Sequence, residues 1–153
     1  MAPTVHRVTR MLKPMAKQAN IAINLQLEED RPILILEDDL YQIVFNLMEN
    51  GIKYNTPGGM LRVTLGHQDD IATLTVQDSG VGIPQDAVSH IFERFYRVDK
   101  ARSRASGGSG LGLAIVRAII QRNRGEIQVS SQVGQGTTFV VSFPAFDTEV
   151  DKE

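Results

Sequence analysis

Within NLMENGIKY, residues 46–54, Asn46, Asn50 and Lys53 recur at intervals of four and three, which sets all three on one face of a helix. Two amide oxygens beside an ammonium suit a hydrated magnesium ion and the phosphates that accompany it. Magnesium takes hard oxygen ligands and keeps several waters, while lysine supplies countercharge. A solvated polar helix face would show the same spacing, so this stripe gains weight only from its neighbours.

DSGVGIP, residues 78–84, follows an alternating apolar run directly. Asp78 ends that run with an acceptor-only side chain, and Gly80 and Gly82 let the backbone bend closely around a ligand. A carboxylate there suits the exocyclic amine of adenine, although Asp-Ser-Gly is also ordinary turn chemistry. GGSGLGLAIV, residues 107–116, leads into a well-patterned helix, and exposed N–H groups at a helix start attract anions. Its glycine spacing fits neither a P-loop nor a dinucleotide fingerprint. IFERFYRVDKARSR, residues 91–104, sets Phe92, Phe95 and Tyr96 beside Arg94, Arg97, Lys100, Arg102 and Arg104. An aromatic anchor followed by cations and glycines suits a lid over a charged ligand, the alternative being a solvated basic loop.

Several elements must position these groups. Val5, Val8, Leu12, Met15 and Ala19 mark a helix over 4–19, with Pro14 expected to kink or break it. IAINLQL (21–27) alternates as a strand, and ILIL (33–36) reads as a second, shorter one. A helix from Asp38 or Asp39 to about Ile52 carries the Asn46 stripe. Residues 60–67 and 71–78 form a hairpin around Gln68-Asp69-Asp70. A helix over 110–123 ends at Gly125, and 126–131 pairs with 137–143. About three helices and six strands make an α/β two-layer sandwich, with helices on one face of a mixed, mostly antiparallel sheet.

Composition sets bounds. The 153 residues suit one domain, expected over 1–146 with an acidic disordered tail over 147–153. A net charge of −2 gives no electrostatic case for nucleic acid. The absence of cysteine excludes disulfides, thiolate metal sites and cysteine nucleophiles. No run of eighteen apolar residues offers a membrane span, and the opening residues lack the apolar core of a signal peptide. His6, His67 and His90 show no metal-ligand or triad spacing.

Taken in order, the motifs resemble the N box, first glycine box, F box and second glycine box of bacterial sensor histidine kinases. GQGTTF (134–139) is similar to that family's last glycine motif. The resemblance runs from about residue 4 to residue 144. It implies the Bergerat ATP-binding fold shared with gyrase, Hsp90 and MutL, with ATP and magnesium as ligands. It makes Asn50 the magnesium ligand, with Asn46 nearby and Lys53 on phosphate. Tyr54 would flank the base or ribose, and Asp78 would read the adenine amine. Gly80, Gly82, Ile83, Gly108, Gly110, Leu111, Gly112 and Thr138 would shape the pocket, while Arg97 and 98–109 would form the lid, held by Phe92–Phe95.

The resemblance further implies phosphoryl transfer to a histidine on a separate dimerisation domain, and through it to a response regulator. The phosphoacceptor helix is not in this sequence, because His6 is followed by Arg7 rather than an acid. A monomeric, cytoplasmic piece of a membrane-bound sensor, itself touching no membrane, is therefore expected. Hydrolytic members of the superfamily place glutamate four residues before the magnesium-binding asparagine. Here Asn46 stands there and is a poor base, which suits transfer to a side chain better than hydrolysis. Gly51 departs from the alanine usual after that asparagine. Three alternatives stand beside this reading: a serine kinase of the anti-sigma type, a nucleotide-sensing module, and a kinase domain that binds without transferring.

Overall fold

The computed structural model describes residues 1–96 and 112–146. In chain order these form α1 (Ala2–Ala19), β1 (Ala22–Gln26), α2 (Glu37–Lys53), β2 (Met60–Gln68), β3 (Ile71–Asp78) and the short α3 (Gln85–Val88). Then come α4 (Gly112–Arg122), β4 (Glu126–Gln132) and β5 (Gly136–Pro144). The strands make one sheet in the order β1-β2-β3-β5-β4, with β1 parallel to β2 and every other pair antiparallel. This is the expected two-layer arrangement. Leu61, Val63, Leu65, Leu74, Val76, Phe139, Val141 and Phe143 turn to one face and are buried. They pack in one core with Val5, Val8 and Leu12 of α1, Ile43, Val44 and Leu47 of α2, and Val116, Ile119 and Ile120 of α4. The opposite sheet face carries Asn24, Arg62, Thr64, Thr75, Gln77 and Thr138 in register.

Two expectations are corrected. Pro14 does not interrupt α1, which runs from Ala2 to Ala19. An interior proline costs about 3 kcal/mol, but Pro14 and Arg10, whose carbonyl loses its amide partner, are both exposed, which leaves that carbonyl open to solvent. Burial of Val5, Val8, Leu12 and Ala16, at roughly 1.5–3 kcal/mol for each larger side chain, outweighs that cost. The second concerns ILIL. Residues 33–36 make only an isolated bridge, Ile33 to Ala145, and Leu34 and Leu36 are 81% and 71% exposed. Ile33 and Ile35 pack on the core, so the segment is a connection with alternate side chains tucked in. The sheet therefore has five strands among the described residues, not six.

Helix ends follow local rules. Asn20 closes α1 in the left-handed region (φ 60°), with Ile21 N donating to Ala16 O at 2.8 Å. Gly125 closes α4 as expected, though not as the left-handed residue. The left-handed residue is Arg124 (φ 64°), while Gly125 N donates to Ile120 O at 2.9 Å. Gly125 is required for room, since a Cβ there would lie 2.7 Å from the Phe143 ring.

Candidate nucleotide-binding site

One ion-pair cluster decides where the site forms. Asp39, in the first turn of α2, accepts from Arg122 Nη2 at 2.9 Å and Asn123 Nδ2 at 3.2 Å at the end of α4. These donors hold the Asp39 carboxyl below the usual carboxylate range, the Arg122 hydrogen bond first. With the C-terminus of α4 fixed at the N-terminus of α2, the start of α4 lies beside the middle of α2. There a Cβ on Gly112 would stand 3.1 Å from Asn46 Oδ1. The Asn46 amide is itself directed: its Nδ2 donates to Gln42 O one turn back at 2.7 Å, so its oxygen faces α4. Asn46, Asn50 and Lys53 share one half-buried face of α2, and Lys53 ion-pairs Glu49 at 3.3 Å across one turn.

Asp78 ends β3 on the helix-covered side of the sheet. Its Oδ1 accepts from Gly80 N at 2.9 Å and Thr137 N at 3.3 Å. Burial nonetheless pushes its carboxyl up to about 6, because desolvation outweighs those two donors. The residue is ionised at neutral pH but costly to keep so, and with Oδ1 held by two N–H groups, Oδ2 is left for a ligand donor. Gly51 lies directly behind it, where a Cβ would meet the Asp78 Cβ at 3.7 Å and Leu61 Cδ1 at 2.4 Å. Any side chain at Gly51 would therefore require Leu61 to shift.

The loop after Asp78 is tied down on both sides. Val81 N donates to Tyr54 O at 3.1 Å, and Gly80 passes so close to the Tyr54–Asn55 backbone that a Cβ would stand 2.4 Å from Tyr54 O. Tyr54, half-buried, closes α2 at the rim of this loop. On the other side Gly134 N donates to Val81 O at 2.9 Å and Ile83 N to Ser131 Oγ at 2.7 Å. Gly82 (φ 76°) approaches Gln132 O so closely that a Cβ would lie at 2.2 Å. The glycines therefore serve two backbones pressed together.

The structure thus gathers Asp78, Gly80, Gly82, Ile83 and Tyr54 into one loop system and brings Asn46 to Gly112. Thr138 is placed elsewhere. It pairs with Gln77 on the opposite sheet face, whereas Thr137, in phase with Phe139, is buried and donates to Asp78. Phe92 is the aromatic anchor, edge-on to Phe139 at 6.4 Å with Arg117 over its ring at 5.6 Å. Phe95 is not an anchor, being exposed with φ 65°. Tyr96 instead lies 5.5 Å from the His90 ring. Arg97, residues 98–109, Gly108, Gly110 and Leu111 lie outside the described residues, as does the acidic segment 147–153. Asn55 and Ser131 escaped the sequence reading. Asn55 is buried and brackets the loop with Nδ2 bonds of 3.0 Å to Gly51 O and to Met60 O.

Residues 35–147 match the family described as histidine kinase-, DNA gyrase B- and HSP90-like ATPases. The chain is 46% identical over 114 residues to the sensor histidine kinase RppB of Synechocystis, covering 74% of this chain and 25% of that protein. It is 36% identical over 126 residues to WalK of Bacillus subtilis, covering 81% and 21%. It therefore spans about a quarter or less of these relatives' length. Among solved structures, the mycobacterial sensor histidine kinase MprB superposes with a TM-score of 0.80 at 27% identity, over 95% of this chain and 94% of that one. ShkA, solved in complex with AMPPNP, gives 0.80 at 30% identity, over 94% and 29%. The chain belongs to the histidine kinase-, DNA gyrase B- and HSP90-like ATPase family, and within it is a catalytic domain of the sensor histidine kinase type.

Proposed function

We propose that this domain binds ATP with magnesium and transfers the γ-phosphoryl group to a histidine on a separate dimerisation domain, from which it passes to a response regulator. The observation that carries the reading is the Asp78 carboxylate, desolvated and fixed by Gly80 N and Thr137 N, at one end of a site whose other end is the Asn46 stripe facing Gly112. A half-buried carboxylate with one oxygen to spare selects an amine donor and rejects a carbonyl, which distinguishes adenine from guanine at the six-position.

The donor set fits magnesium. It offers neutral amide oxygens from Asn50, with Asn46 close by, and an ion bound chiefly by phosphates and water needs only one or two protein ligands. When bound, the ion supplies neutralisation of the phosphate charge. Lys53 adds a cation to the same face, and Arg97 from the lid segment is assigned to the transferred phosphoryl group. Phosphoryl transfer needs positioning and charge stabilisation more than covalent help. Asn46 supports transfer over hydrolysis, since an amide bonded to Gln42 O has no proton-accepting role toward water.

Calorimetric titration with ATP, with and without magnesium, tests the pocket: magnesium-dependent binding should disappear in Asn50→Ala. Transfer is then tested with radiolabelled ATP and a supplied dimerisation domain, where acid-labile phosphohistidine is expected. Acid-stable label identifies serine phosphorylation, and ATP binding without any label would overturn the kinase assignment.

A further inference from the structure

We propose that the groove between α1 and the open edge of β1 is a docking site for an acidic, extended segment of a partner protein, added to the sheet as a further strand. β1 is an edge strand, and among the described residues none pairs with its outer side. Ala22, Asn24 and Gln26 direct their peptide groups toward β2, Ala22 N donating to Gly59 O at 3.1 Å. The alternating groups of Ile23 and Leu25 therefore point outward, ready for an incoming backbone. A groove of about 680 Å³ lies between this edge and α1.

The groove has an apolar floor of Ile21, Ile23 and Leu25 and a basic wall of His6, Arg10, Lys13 and Lys17. Those four recur on one helix face, all are exposed, and no acidic residue lines the groove. Among the described residues Arg10, Lys13 and Lys17 form no ion pair. In a chain of net charge −2 this concentration runs against the overall sign.

Dimensions favour a strand as the occupant. From His6 to Lys17 the helix rises about 16 Å, and five residues of β1 extend about 17 Å. Same-face side chains on an added strand repeat every ~6.6 Å, near the ~4.5–6 Å steps of these four side chains. The wall thus matches acids at every second residue, while the open peptide groups exclude a purely ionic ligand as sufficient. A planar lipid surface does not enter a groove walled by a helix.

The probe is the peptide acetyl-Glu-Thr-Glu-Val-Glu-Thr-Glu-amide, titrated at low salt into the isotope-labelled full chain. Amide shifts should centre on Ile23, Leu25, Lys13 and Lys17. Affinity should fall at least tenfold in Lys13→Glu/Lys17→Glu, and equally when the peptide is N-methylated at the alternate residues facing β1. Undiminished binding of the methylated peptide would reduce the site to charge attraction and overturn the strand. Capture by phosphatidylserine vesicles with β1 unmoved by peptide would overturn it in favour of a membrane. Binding that appears only after Asp147→Asn, Glu149→Gln, Asp151→Asn and Glu153→Gln would make the chain's own acids the occupant and overturn a partner. Absence of any shift in both chains ends the proposal. None of these readouts depends on nucleotide binding.

Discussion

Replacing Asp78 by asparagine should strengthen the fold and weaken ATP binding together. Burial raises the Asp78 carboxyl from 3.8 to about 6, so the ionised form costs on the order of 3 kcal/mol above that pH. Asparagine keeps an Oδ1 for Gly80 N and Thr137 N and carries no charge, but an amide has its own burial cost. The net expectation is a gain of about 1–3 kcal/mol near pH 7.5, or roughly 3–10 °C in Tm. The sign follows from linkage. Asp78 has a raised folded pKa, so its contribution is fully present below the unfolded value and is lost as pH rises through the folded one. The advantage of Asp78→Asn should therefore be largest above pH 7 and shrink toward pH 4, as the wild type protonates. In the pocket the asparagine Nδ2 would face the adenine amine, donor against donor. Loss of a charge-assisted bond is worth about 1.5–3 kcal/mol, which weakens ATP roughly ten- to hundredfold. Urea unfolding at pH 7.5 and pH 5, with calorimetry in parallel, measures both effects. A destabilised variant at pH 7.5, or a difference independent of pH, would refute the desolvation argument.

Gly51→Ala should lose about 1 kcal/mol despite better helix propensity, because the new Cβ meets buried Leu61 Cδ1 at 2.4 Å. Adding Leu61→Val should recover at least half of it, as urea midpoints for the double-mutant cycle will show. Gly82→Ala forces a side chain into positive φ and against Gln132 O, and a loss of about 2–4 kcal/mol is expected by thermal melting. Asp39→Ala releases the far end of α4, so ATP affinity should fall several-fold without contact to the ligand. Because Asp39 is held below the usual carboxylate range, its contribution is present above that range and lost as pH falls through the lowered value. The urea midpoints of wild type and variant should therefore converge in acid.

Much of this was legible in the residues. Period and alternation marked α1, α2, α4 and both hairpins, because each buries one face in a single core. Pro14 misled because a local rule gives no account of which way the proline faces. ILIL misled because four apolar residues cannot show that every second one stays in water. In the site, Asp78 and the glycines were visible as types, but their cause was not: Gly82 answers to Gln132, fifty residues away. Thr137 was within reach, since alternation with Phe139, Val141 and Phe143 puts it on the core side and Thr138 on the other. Nothing in EIQVSS distinguishes Ser131 before Ile83 is known to lie beside it.

The sheet order gives the pocket a place in time as well as space. β5 comes after β4 in the chain yet lies inside it, between β3 and β4; its second residue supplies the N–H that steadies Asp78, and the turn before it holds Val81. Asp78 and Thr137 are 59 residues apart, so this contact closes late. A chain still emerging from synthesis can form α1, α2 and the β2–β3 hairpin before the residue that steadies Asp78 has been made. On the proposed function, nucleotide could not then stabilise a half-made domain, and its binding would report that β5 has been inserted.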